Sequence, residues 1–152
     1  MGRNCNSETC IIKIKKINKN AKIPKKAHIN DAAMDLYSVV NLTIPSGGRA
    51  IIDTGLQVET IKEWKISIKS RSGLASKGIS VANSPGLVDS CTYRGNIGVI
   101  LENRTSEPFI VNIGDRIAQM EAERCWATEI VEVTELSETD RGEGGFGHTG
   151  IK

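Results

Sequence analysis

Aromatic side chains are scarce: Tyr37, Trp64, Tyr93, Phe109, Trp126 and Phe146 are the whole supply in 152 residues. So small a set excludes a core of stacked rings and leaves Ile, Val and Leu to fill it, which favours strands. Cysteine is equally thin. Cys5, Cys10, Cys91 and Cys125 show no CxxC spacing, which argues against a disulfide-stapled scaffold and makes free thiols the expectation. With no His or Cys cluster at ligand spacing, a structural zinc site is not expected. No apolar run approaches the ~18 residues of a membrane span, and no secretory signal pattern opens the chain. A soluble, intracellular protein, cytoplasmic or nuclear and without membrane contact, is therefore expected.

What is present is glycine, 15 residues of it, and a series of short alternating runs. Trp64-Lys65-Ile66-Ser67-Ile68-Lys69 puts apolar residues on one face and polar ones on the other, the pattern of a half-buried strand. Similar runs recur over 10–17, 42–44, 49–53, 97–102, 109–112, 116–121 and 129–133. Turn residues punctuate them at Pro45-Ser46-Gly47-Gly48, Ser84-Pro85-Gly86 and Asn112-Ile113-Gly114-Asp115. This pattern predicts one all-β domain, a sandwich or barrel, with at most one short helix over 72–77 and no internal repeat.

The net charge of +2 conceals an asymmetry, because residues 1–27 carry eight Lys or Arg against Glu8 alone, or +7, leaving −5 for the remainder. A basic stretch can mark nucleic-acid contact. Here the lysines alternate with isoleucines over 12–17, as on the wet face of a strand, so no direct nucleic-acid binding is expected. Beyond Val133 the chain turns polar and then glycine-rich, ending Arg141-Gly142-Glu143-Gly144-Gly145-Phe146-Gly147-His148-Thr149-Gly150. Glycine permits close backbone approach, Phe146 offers a stacking face and Arg141 a fork for phosphate. On chemistry alone, a nucleotide-binding tail and a frayed end both remain open.

Five segments, taken in order, bear on that choice: Ala32-Ala33-Met34-Asp35-Leu36-Tyr37-Ser38; Arg71-Ser72-Gly73-Leu74-Ala75; Asn83 through Gly86-Leu87-Val88-Asp89 to Tyr93-Arg94-Gly95; Gly114-Asp115-Arg116-Ile117-Ala118-Gln119; and the glycine-rich tail. Together, over about residues 10–150, they resemble the five motifs of the trimeric dUTPase family (deoxyuridine triphosphate nucleotidohydrolases). The resemblance implies a jelly-roll-like distorted β-barrel over 1–133 and a flexible arm over 134–152. That arm would be exchanged between subunits of a homotrimer and close active sites that the subunits share. It further implies Mg²⁺-assisted hydrolysis of dUTP to dUMP and pyrophosphate, keeping uracil out of DNA and supplying dUMP for dTMP synthesis.

Residue roles follow from the same resemblance. Asp89 would be the general base for the attacking water. Tyr93 would pack on the deoxyribose and exclude a 2′-hydroxyl. Asn83 and the main chain of Gly86, Leu87, Val88 and Gly98 would pair with uracil in a strand hairpin. Arg71, Ser72, Gly73 and Gln119 would hold phosphates, and Asp35 would sit near Mg²⁺ through water. Phe146 would stack on the base, with Arg141, Gly147 and Thr149 closing over the γ-phosphate.

The chain departs from the family pattern in places. Ser90, Cys91 and Thr92 separate Asp89 from Tyr93, where members usually have two residues, and a bulge at the hairpin tip is expected to absorb the surplus. The connection over 76–79 is one residue short. His148 stands where Ser is usual and brings a group that protonates near pH 6.5, while Met34 is expected only to fill space. Two alternatives remain: a dCTP deaminase using Glu102, and a non-enzymatic nucleotide-binding or partner-regulating trimer.

Overall fold

A computed structural model describes residues 9–145. Its strands are β1 (Lys13–Lys16), β2 (Met34–Tyr37), β3 (Leu42–Ile44), β4 (Arg49–Asp53), β5 (Leu56–Glu59), β6 (Trp64–Lys69), β7 (Ile79–Val81), β8 (Gly86–Val88), β9 (Gly98–Asn103), β10 (Phe109–Val111) and β11 (Arg116–Arg124); one short helix, α1 (Ser72–Ala75), follows β6. They form a four-stranded sheet β2-β11-β6-β8, a three-stranded sheet β4-β9-β7 and the pairs β1-β5 and β10-β3, with every pairing antiparallel. The result is an all-β, jelly-roll-like distorted barrel. Among the described residues no helix is long and apolar enough to cross a membrane.

Alternation works because each strand turns one row of aliphatic side chains inward. Leu36, Ile44, Ile52, Leu56, Ile66, Ile79, Ile97, Leu101, Ile117 and Met120 are fully buried. Among the described residues no aromatic side chain joins them; Phe109 only packs against the cluster from its margin, as does Met34. Glycine sets the turns where the backbone needs positive φ, as at Gly114 (φ 89°) in the turn closed by Asp115 N–H donating to the Asn112 carbonyl at 3.0 Å. That turn launches β11, which carries one wall of the site. Gly78 (φ 84°) similarly closes α1, its N–H donating to the Ala75 carbonyl, and so makes the short connection over 76–79 possible.

Three expectations are corrected. Residues 129–133 form no strand: β11 ends at Arg124, and Ile130, Val131 and Val133 stay exposed because no other described strand covers them. β8 and β9 are not a hairpin. β8 pairs with β6 at the edge of one sheet, while β9 lies between β4 and β7 in another. The surplus residue before Tyr93 therefore cannot be a ladder bulge. It is taken up in a helix-like turn in which the Thr92 and Tyr93 N–H groups both donate to the Asp89 carbonyl, at 2.9 and 2.7 Å.

One face of β6-β11 is a ladder of charge. Glu123 pairs in register with Lys65 and Glu121 with Ser67, and Lys69 reaches both Glu121 and Glu123. The Lys69 ammonium, ahead of the neighbouring Ser67 and Glu121 and, last, Lys65, holds the Glu123 carboxyl down at about 2. A carboxyl depressed in the folded state adds stability above its ordinary value near 4.5 and loses it as pH falls towards 2. The denaturation midpoint is expected to fall across that window, and Glu123→Gln to flatten the fall. An equal slope in the variant, followed by circular dichroism, would remove this ladder as the cause.

Candidate active site

Those motif residues that the structure brings together fall into two clefts, not one. The first, about 400 Å³, is walled by Lys25, Asp31, Asp35, Lys69, Arg71, Ser72, Gly73, Arg116, Gln119 and Glu121. β2 brings Asp35 into register with Gln119 of β11, whose other neighbour there is Lys69 of β6. Asp35 accepts from Arg71 Nε at 2.9 Å and lies 3.5 Å from an Arg116 nitrogen. Gln119 Nε2 donates to the Ser70 carbonyl at 3.1 Å. Beyond Arg71 the chain turns into α1, where main-chain bonds within the helix begin at Leu74 N–H, leaving the Ser72 and Gly73 N–H groups without a partner among the described residues. A Cβ added at Gly73 would meet nothing within 4 Å among the described residues. The fold therefore does not itself demand glycine there.

Arg116 received no role from the sequence, and simple alternation puts it on the face opposite Gln119. A bulge between Arg116 and Ala118 restores it: Arg116 pairs with Tyr37 and Gln119 with Asp35, two residues on the same face of β2. A single extra residue in β11 thus supplies a second cation to this cleft. No alternating pattern signals such a bulge in advance.

The second cleft, about 230 Å³, is lined by Leu87, Val88, Asp89, Tyr93, Asn96, Ile97 and Gly98. β8 is an edge strand, so part of its main chain faces away from β6 and is open to a ligand. Asp89 is exposed at its end, and its carboxylate has no hydrogen-bond or ion-pair partner among the described residues, in contrast to the doubly held Asp35. The Tyr93 ring lies over Gly95, where any side chain would collide with it, and its hydroxyl donates to the Asn96 carbonyl at 3.2 Å. That packing is the physical content of the Tyr-x-Gly spacing. Asn83 and Gly86 stand apart from the lining, at the other end of β8, with the Asn83 amide beside Gly86.

Register keeps the clefts apart. Val88 pairs with Ile66 and Gln119 with Lys69, so Asp89 falls level with Lys65, about 13 Å along β6 from Lys69 at strand spacing. They share no lining residue. Arg141 belongs to neither; it is exposed, its Nε donating to the Gly144 carbonyl at 2.8 Å. Phe146, Gly147, His148 and Thr149 lie outside the described residues. Glu102 also lines neither cleft. Burial opposes its charge, but Arg104 and Ser80 hold its carboxyl below the usual range, as suits a structural ion pair.

A cationic cleft with free N–H groups, together with an uncommitted carboxylate beside a small apolar cleft at a strand edge, defines a β-barrel protein equipped for a phosphorylated nucleoside. The family model for dUTPase matches residues 19–150, and the chain belongs to that family. It is 49% identical over 142 residues to the deoxyuridine 5'-triphosphate nucleotidohydrolase of Alkaliphilus metalliredigens, covering 93% of this chain and 98% of that one. The enzyme of the same name from Clostridium novyi is 47% identical, covering 91% and 97%. A solved dUTPase of Staphylococcus bacteriophage 80alpha with dUPNHPP superposes with a TM-score of 0.85 at 26% identity, covering 93% of this chain and 99% of that chain.

Proposed function

We propose that this protein hydrolyses dUTP to dUMP and pyrophosphate, and that each site is assembled from more than one copy of the chain. The observation that carries the proposal is the pair of half-sites. One has Asp89, a carboxylate without a partner among the described residues, and a nucleoside-sized cleft without phosphate ligands; the other has phosphate ligands, and its carboxylates Asp31, Asp35 and Glu121 each accept a hydrogen bond. A general base must reach its proton directly or through one water, and within one chain Asp89 lies in a different cleft from the phosphate ligands. Subunits in a closed ring, each presenting one cleft to its neighbour's other cleft, solve this. A homotrimer is the ring proposed.

Asp89 takes a proton from water, and the oxygen attacks the α-phosphorus as the bond to the pyrophosphate oxygen breaks. Arg71, the Ser72 hydroxyl, the Ser72 and Gly73 N–H groups and Gln119 hold the phosphates, with the open space at Gly73 allowing close approach. The outward edge of β8 at Leu87, with Gly98 opposite, pairs with uracil; Tyr93 closes on deoxyribose. Mg²⁺ fits as a partner of the phosphates: no group of three or more His, Cys, Asp or Glu is gathered among the described residues, so a protein cage is absent there and Asp35 would hold the ion through water. When bound, the ion screens charge on the triphosphate. The arm over 134–152 closes the site through Arg141, Phe146, Gly147 and Thr149. The product then serves dTMP synthesis, and uracil is kept out of DNA.

Incubation with dUTP or dCTP and Mg²⁺ tests the reaction. Pyrophosphate from dUTP, with dCTP left intact, is the expected result. Ammonia from dCTP would point to a deaminase, and neither product to a non-enzymatic role.

A further inference from the structure

The turn that carries Asp89 and Tyr93 is gripped from two sides. On the inner side Ser90 is fully buried, its hydroxyl 2.6 Å from that of Thr60, while Thr60 N–H donates to the Ser90 carbonyl at 3.1 Å. On the outer side stands Arg94. One of its terminal nitrogens donates to the Ser90 and Tyr93 carbonyls at 3.0 and 2.9 Å, and the other donates to the Cys91 carbonyl at 3.0 Å. The second nitrogen also lies 3.2 Å from Glu59 on β5, and Gln57 Nε2 donates to the Arg94 carbonyl at 2.6 Å.

The ion pair with Glu59 is half-exposed and adds little by itself. What matters is that three carbonyls of one turn converge on one rigid fork of donors, a geometry that a point charge on a flexible stem does not reproduce. Arg94 does not line the cleft of Asp89 and Tyr93; it faces a separate small cleft with Lys13, Lys15, Gln57 and Glu59. Within its own chain, any effect of Arg94 on that cleft passes through the turn.

We propose that Arg94 is a positioning residue: by clamping the 90, 91 and 93 carbonyls it aims the Asp89 carboxylate at the reacting water and the Tyr93 ring at the sugar. The inference rests on Asp89 being the base. Misplacement of about 1 Å at a reacting group can cost 10²-fold, so Arg94→Ala is expected to lower kcat for dUTP at least about tenfold with KM within about threefold. It should also reduce the preference for dUTP over UTP, because Tyr93 loosens with the same turn. Arg94→Lys keeps the charge and is expected to recover less than half of the lost kcat.

Sugar preference distinguishes aim from general weakening, since a merely less stable protein loses activity towards both nucleotides together. Should Arg94→Ala fail to fold, Arg94→Lys and Glu59→Gln are measured in its place, with a smaller loss expected in the same two quantities. Unchanged kcat and unchanged dUTP preference in the folded variants would overturn the role of Arg94. Asp89→Asn, run alongside, separates the cases: if it is inactive while the Arg94 variants are normal, only the clamp fails, whereas an active Asp89→Asn removes the reading on which the clamp rests.

Discussion

Asp89→Asn is expected to lower kcat for dUTP by about 10²- to 10⁴-fold, the span general-base catalysis contributes, while KM stays within about threefold. The reason is local. The bonds that shape the turn use the Asp89 carbonyl, not its carboxylate, and the carboxylate has no other partner among the described residues. An amide of the same shape therefore leaves turn and cleft in place and removes only the capacity to accept a proton. Loss in kcat without loss in KM is the mark of an interaction made in the transition state. Pyrophosphate release under saturating dUTP measures it, and a kcat within tenfold of wild type would assign the base to another group.

Arg71→Ala should be equally damaging for a different reason. Arg71 links Asp35 to the start of α1 and contacts the Arg116 carbonyl at 3.3 Å, so its loss disarms the phosphate half-site while leaving the Asp89 half-site intact. Two inactive variants with lesions in opposite half-sites can repair each other only if one site draws on two chains. In a ring of randomly mixed subunits, an intact site needs an Asp89→Asn chain beside an Arg71→Ala chain in the correct order. That occurs at about a quarter of the interfaces.

Much of this was legible in the sequence because it depends on local pattern. Alternation at 64–69 marks β6, the dearth of aromatics marks an aliphatic core, and the first four motifs supply residues to the two clefts. What escaped has a physical cause in each case. β2, β5, β7 and β8 are only three or four residues long, a length at which alternation finds some strands, as it does β3 and β10, and passes over others. The run at 129–133 looks like a strand because alternation reports a face to be covered, and covering requires a partner. Arg116 was missed because a bulge reverses its face. The helix-like turn after Asp89 replaces the expected hairpin bulge because β8 and β9 belong to different sheets, a long-range fact that no local spacing contains. Nor does spacing reveal that the motifs fall into two clefts, since that follows from the register of β8 and β11 on either side of β6.

Sharing of sites between chains is tested most directly by mixing. Asp89→Asn and Arg71→Ala proteins, each assayed alone and then unfolded together in equal amounts and refolded, are compared with wild type treated identically. Shared sites predict recovery of about a quarter of the wild-type rate of pyrophosphate release from dUTP. A mixture no more active than the average of its two inactive components would contradict a site assembled from two chains.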